Sequence, residues 1–192
     1  MSCEAACKII LSSEDYGIAD YGIAETEELQ PPEFDAAAEI EKIYGILSNR
    51  DTAYHERLDK IFKLYDIPRH ILENETDLRE IFLSLEYLDD SHKEAFESYK
   101  YSNDTEKEKE KLLERALAYY IFRHAGAADS QTDFKARLTL SLLLERLYAT
   151  QLSSTKETDF EAAVEAARVI SEELEYSEDN LENLLFYIEF SL

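Results

Sequence analysis

The sequence predicts an all-α fold, a single-domain bundle of about eight or nine helices around a buried central helix at 133–149. Three observations predict it. Glycine and proline total 7 of 192 residues, too few for the frequent turns of a sheet protein. Gly17, Gly22, Pro31 and Pro32 all fall within the first 34 residues, and after Pro68 the only further breaker is Gly126. From Asp35 onward apolar residues recur at helical spacing. The chain therefore divides into a short N-terminal helix and connector over 1–34 and a helical bundle domain over 35–192.

Residues 3–11 suit a short helix, and 12–34 a connector in which Asp-Tyr-Gly-Ile-Ala occurs twice, at 15–19 and 20–24. Two five-residue copies are too short for a solenoid. Ile40, Ile43, Tyr44 and Leu47 form the stripe of the first long helix. Asp51 and Thr52 are expected to cap the next, which buries Tyr54, Leu58, Ile61, Phe62 and Tyr65 and breaks at Pro68. Asn74 or Thr76 starts a helix with Leu78, Ile81, Phe82, Leu85 and Leu88 in a row. Ser91 and Glu94 read as a capping box opening a short helix that ends near Tyr101.

A mixed-charge run, 106–111, leads into Leu112, Leu113, Ala116, Leu117, Tyr120 and Ile121, and Gly126 stands where a left-handed residue would end that helix. Over 133–149, Phe134, Leu138, Leu140, Leu142, Leu143, Leu144, Leu147 and Tyr148 surround most of the helix circumference. A helix apolar on most sides belongs inside a bundle. Thr158 with Glu161 reads as a second capping box, opening a helix through Phe160, Val164, Ala167, Ile170 and Leu174. Ser177 caps the last helix, with Leu181, Leu184, Leu185 and Ile188 inward and Phe186, Tyr187 and Phe190 as an aromatic end.

Twenty Lys and Arg against 43 Asp and Glu leave a net charge of −23. Such a chain lacks the clustered cations that hold a phosphate backbone, and it is repelled by anionic membranes, so neither nucleic acid nor membrane is an expected partner. Residues 1–34 carry eight acids and one base, and residues 157–192 eleven acids and one base. Acidic ends keep a chain soluble and attract basic partners. No apolar stretch is long enough to span a bilayer, and the start lacks the features of a secretory signal. With only Cys3 and Cys7 there is no disulfide framework, and a cytoplasmic setting is expected.

No glycine-rich phosphate loop and no H-E-x-x-H occurs. His55, His70, His92 and His124 fall in separate segments and read as surface or capping residues. Cys3 and Cys7 cannot close a four-ligand metal site by themselves. Charged residues inside apolar helices say more: Arg123 and His124, Arg137 and Glu145 in the central helix, and Glu173 and Glu175 near the chain's end. A buried charge needs a partner, so at least one of Arg123 and Arg137 is expected to pair with Glu173 or Glu175.

Several segments resemble the C-terminal helical region of flagellin lysine-N-methylase. Ser2-Cys3-Glu4-Ala5-Ala6 resembles that family's Ser-Cys-Pro-Glu-Ala-Ala, without the proline. Leu47-Ser48-Asn49-Arg50 followed by Glu56-Arg57-Leu58 resembles its Leu-x-x-Arg and Glu-Arg-Leu segment. Ala118 to His124 resembles its tyrosine-rich helix ending in Phe-Arg, and Ala136-Arg137-Leu138 the start of its next helix. Residues 167–181 follow its pattern Ser-basic-Glu-aliphatic-Glu-(His or Tyr)-Ser-x-x-Asn, except that Glu172 stands where a basic residue is usual.

The resemblance implies methyl transfer from S-adenosylmethionine to protein lysines, flagellin being the substrate. It also implies an N-terminal cysteine-rich region holding a metal or iron–sulfur centre. No such region is in this sequence, and Cys3 would match its last cysteine. The chain is therefore expected to be the helical C-terminal part, a fragment or a short natural product, that recognises substrate or serves as scaffold. It is expected to carry no cofactor of its own and not to be catalytically complete. Its candidate functional or buried polar network is Arg123, His124, Arg137, Glu173, Glu175, Tyr176 and Asn180. The alternative is a non-enzymatic helical interaction module, pairing as a homodimer through its C-terminal aromatics, and a third reading is a small-molecule pocket between helices.

Overall fold

A computed structural model describes residues 34–101, 109–154 and 160–192, and among them it holds nine α-helices and no strand. They are α1 (Ala36–Leu47), α2 (Tyr54–Leu64), α3 (His70–Glu73), α4 (Glu75–Ser84) and α5 (Asp90–Glu97), then α6 (Glu110–His124), α7 (Gln131–Ser154), α8 (Phe160–Ile170) and α9 (Glu178–Ser191). A 3₁₀ turn, Ala125–Ala127, follows α6, and a π turn, Ser171–Glu175, joins α8 to the approach of α9. The helix and connector expected over 1–34, with Cys3 and Cys7, lie almost wholly outside the described residues. So do Thr158 and the first half of the charge run.

The central helix forms where its leucines predict it. From Leu138 to Tyr148 every residue of α7 is buried. The helix packs against α6, α8, α9 and the 3₁₀ turn. Each leucine withdrawn there contributes about 1.5–3 kcal/mol. Two hydroxyls within the run find acceptors: Thr139 donates to the Lys135 carbonyl at 2.8 Å, and Ser141 to those of Arg137 at 2.8 Å and Tyr120 at 3.1 Å. At the start of α7, Phe134 meets the rings of Phe34 and Tyr65, each at 5.5 Å. No described helix is long and apolar enough to cross a membrane.

Two ion pairs lie in the interior. Glu145 and its neighbour Arg146 pair at 2.9 Å inside α7, and Tyr54 of α2 donates to Glu145 at 2.9 Å. Arg57 of α2 is buried, pairs with Glu114 of α6 at 2.8 Å and donates to the Leu47 carbonyl at the end of α1. Arg50 reaches the other oxygen of Glu114 at 2.7 Å. The two arginines that carry part of the sequence resemblance thus tie α1 and α2 to α6.

Several local expectations are corrected. Ala53, with no side-chain cap, stands at the start of α2, because Asn49 takes the Asp51 amide and Thr52 turns back onto the Asn49 carbonyl. Asp89, not Ser91, caps α5: its carboxylate accepts from the Ser91 amide at 2.9 Å and hydroxyl at 2.7 Å, a charged acceptor at a helix N-terminus. Gly126 is not left-handed, since α6 tightens into the 3₁₀ turn instead. Leu88 is 84% exposed, because α4 ends at Ser84 and the row of apolar residues does not continue as helix. On α8 the buried face is Ala163, Ala166, Val169 and Ile170, leaving Phe160 and Val164 outside. The small alanines let the α8 backbone approach the leucine-dense α7, which a phenylalanine would hold off. Asn74 and Ser177 cap α4 and α9 as expected.

Candidate functional site

After Ile170 the helix widens by one residue per turn, and the Tyr176 amide donates to the Ser171 carbonyl, five residues back, at 3.0 Å. Such π turns occur often at functional sites. Here the turn buries Glu173, Leu174 and Glu175 in succession. Its two glutamates serve different neighbours.

Glu173 turns to the connection between α4 and α5. It accepts from the amides of Leu88 at 2.7 Å and Asp89 at 3.3 Å and lies 2.6 Å from Nδ1 of His92. Asn180, fully buried on α9, clamps the same connection. Its Nδ2 donates to the carbonyls of Glu86 and Glu173, both at 2.7 Å, and its Oδ1 accepts from the Glu86 amide at 3.0 Å. With both oxygens of Glu173 engaged, this carboxylate acts as a brace on the connection.

Glu175 turns to the end of α6. Arg123 Nε lies 3.0 Å from its Oε1, His124 Nε2 lies 3.2 Å from the same atom, and Ser171 donates to Oε2 at 2.6 Å. Burial pushes the Glu175 carboxyl up. The hydrogen bonds from His124 and Ser171, with the charges of His124 and Arg123, outweigh that and hold it below its ordinary value. Arg123 is partly exposed, and the Tyr176 ring, itself 74% exposed, takes its guanidinium at 5.7 Å. Burial first and the Glu175 charge second raise the neighbouring Tyr119 hydroxyl. The Ser171 proton points at a carboxylate and not at His124, so the trio is no nucleophile–base relay.

The structure thus brings together Arg123, His124, Glu175 and Tyr176 on one side of the turn and Glu173 with Asn180 on the other. Arg137 is not among them. It pairs with Asp133 on its own helix at 2.7 Å and is partly exposed, because the α7 surface turns outward at that position. Reading the histidines as surface or capping residues fails for His92 and His124, both seated on buried glutamates. Isolated histidines carry no spacing signal, so nothing in the sequence marks His92. Arg146 was missed as well, although a base next to Glu145 in the apolar stretch of that helix is a signal that could have found it.

Beside the turn opens a cleft of about 250 Å³, lined by Glu86, Tyr87, Leu88, Glu172, Glu173, Tyr176 and Ser177. The lining holds three acids, two tyrosines and no base. The Tyr87 hydroxyl is spent on the Phe82 carbonyl at 2.9 Å, so it offers its ring. Glu172, where a basic residue was noted as usual, pairs with Arg168.

The cleft lies below the roughly 300–1,000 Å³ of pockets that take cofactor-sized ligands, so S-adenosylmethionine is not placed in it. Among the described residues no group of three or more His, Cys, Asp or Glu is placed to hold a metal ion. No step through either group follows from this geometry. No family model matches the chain, no curated protein matches it, and no solved structure matches it.

Proposed function

We propose that this chain is the helical, substrate-recognising part of a protein resembling flagellin lysine-N-methylase, and that the cleft beside the π turn takes a substrate lysine side chain. The observation that carries this reading is the lining: tyrosine rings and three carboxylates, of which Glu86 is exposed while Glu172 pairs with Arg168 and Glu173 braces His92. A lysine has an apolar stem and a compact ammonium, which suit an aromatic wall and a carboxylate rim respectively. Glu86 and Tyr176 are exposed at the cleft and accessible to such a group. The order of the resembling segments supports the family, and the donor chemistry lies with residues other than those described.

The test is binding of a fluorescent single-lysine flagellin peptide to the whole chain, against the same peptide acetylated on that lysine. Acetylation is expected to weaken binding about tenfold, and Glu86→Gln or Tyr176→Ala to weaken it by a similar factor. Equal binding of the two peptides overturns the reading.

A further inference from the structure

The outer face of α9 has no part in the cleft, and of the residues along its hollow only Leu185 also packs against the core. Phe186 and Phe190, four residues apart on one side of the helix, are 73% and 87% exposed. Glu182, Asn183, Leu185, Phe186 and Glu189 line a shallow hollow of about 440 Å³ on that face. After Arg168 the chain has no lysine or arginine, so no carboxylate of α9 has a base on its own helix.

We infer that this face binds a basic amphipathic helix of a partner protein. Two large rings in water, at helical spacing, supply apolar anchors for the stripe of a second helix. The acids beside them supply the complement to lysines and arginines flanking that stripe. Charge decides among the occupants. A second copy brings its own net −23 and its own base-free α9 to the contact. Anionic membranes and nucleic acids are repelled by the same field. The face shares no lining residue with the lysine cleft, so this interaction stands or falls separately.

The test uses the full chain and a fluorescent model peptide of about five helical turns, with leucines along one face and lysines on the other. Its control has the same composition in scrambled order. Binding is read by anisotropy at about 50 and about 200 mM salt, across which exposed charges are increasingly screened. The patterned peptide is expected to bind at least about tenfold more tightly than the scrambled one. Phe186→Ala with Phe190→Ala should remove that advantage while leaving the far-UV circular dichroism unchanged, both rings being exposed. Glu182→Gln with Glu189→Gln should flatten the salt dependence. Equal affinity of the double phenylalanine variant and the wild type overturns the inference. So does a wild-type dimer in sedimentation that the same variant dissociates.

Discussion

Glu173 and Glu175 stand two residues apart on one π turn and brace different parts of the bundle, Glu173 the connection into α5 through His92 and Glu175 the end of α6 through His124. In a regular helix residues so spaced already point to opposite sides, and only a turn packed on both sides buries the two together. The acid pair therefore locks the start of α9 to two regions distant in sequence.

Glu175 gives stability a definite pH dependence. Its folded carboxyl is held below the ordinary 4.5, so its contribution is present above that value and is lost as the pH falls through the folded pKa. Glu145 acts in the opposite sense: burial raises its carboxyl, so its share is largest below 4.5 and declines as the pH rises toward the raised value. Urea midpoints of Glu175→Gln between pH 3 and about pH 7 should show a smaller fall on acidification than wild type. Parallel curves for the two proteins would deny Glu175 this role.

Arg123 and Arg137 looked equivalent in sequence and are not equivalent in structure. Arg137→Ala removes a partly exposed intrahelical pair with Asp133 and should cost about 0.3–0.5 kcal/mol. Arg123→Ala deprives the buried Glu175 of one cation and should cost more, about 1–2 kcal/mol, since His124 and Ser171 remain. Thermal melts of the two variants in one buffer decide the order, and a larger loss for Arg137→Ala contradicts it.

Asn180→Ala removes three side-chain hydrogen bonds to buried backbone and should destabilise by about 3 kcal/mol. Asn180→Asp, of the same shape, should fare no better, because a carboxylate cannot donate to the Glu86 and Glu173 carbonyls. A wild-type denaturation midpoint for the aspartate variant would show that the amide donors are not needed.

For the buried pair in α7, Glu145→Met or Arg146→Met alone strands a charge and should cost about 3–5 kcal/mol. The double change to methionine should recover most of that loss. A double mutant that falls by the sum of the singles would mean the pair contributes through contacts other than each other.

Much of the fold was legible because burial writes itself as spacing. The α7 leucines, the Asn74 and Ser177 caps and the stripe of α1 are all periodic or capping signals. Helix ends were less legible where two residues compete: Asp89 outbids Ser91 by its charge, and a 3₁₀ turn replaces the left-handed glycine expected at Gly126. The stripe through α8 was read correctly at Ile170 and Leu174 and misjudged at Phe160 and Val164, because Phe160 outweighs Ala163 in hydropathy although close approach to α7 rewards the smaller side chain. The site was half legible. Charges within apolar stretches pointed to Arg123, His124, Glu173 and Glu175, whereas His92 meets Glu173 across 81 residues with no local trace.

The unbroken burial from Leu138 to Tyr148 has an evolutionary corollary. A segment with no wet side has few positions where a random replacement is silent, because nearly every change there creates a void, a clash or a stranded polar atom. Descendants of this chain should accumulate their differences on the outward side of α8, and the leucine-rich rod should be the stretch by which distant kin are recognised.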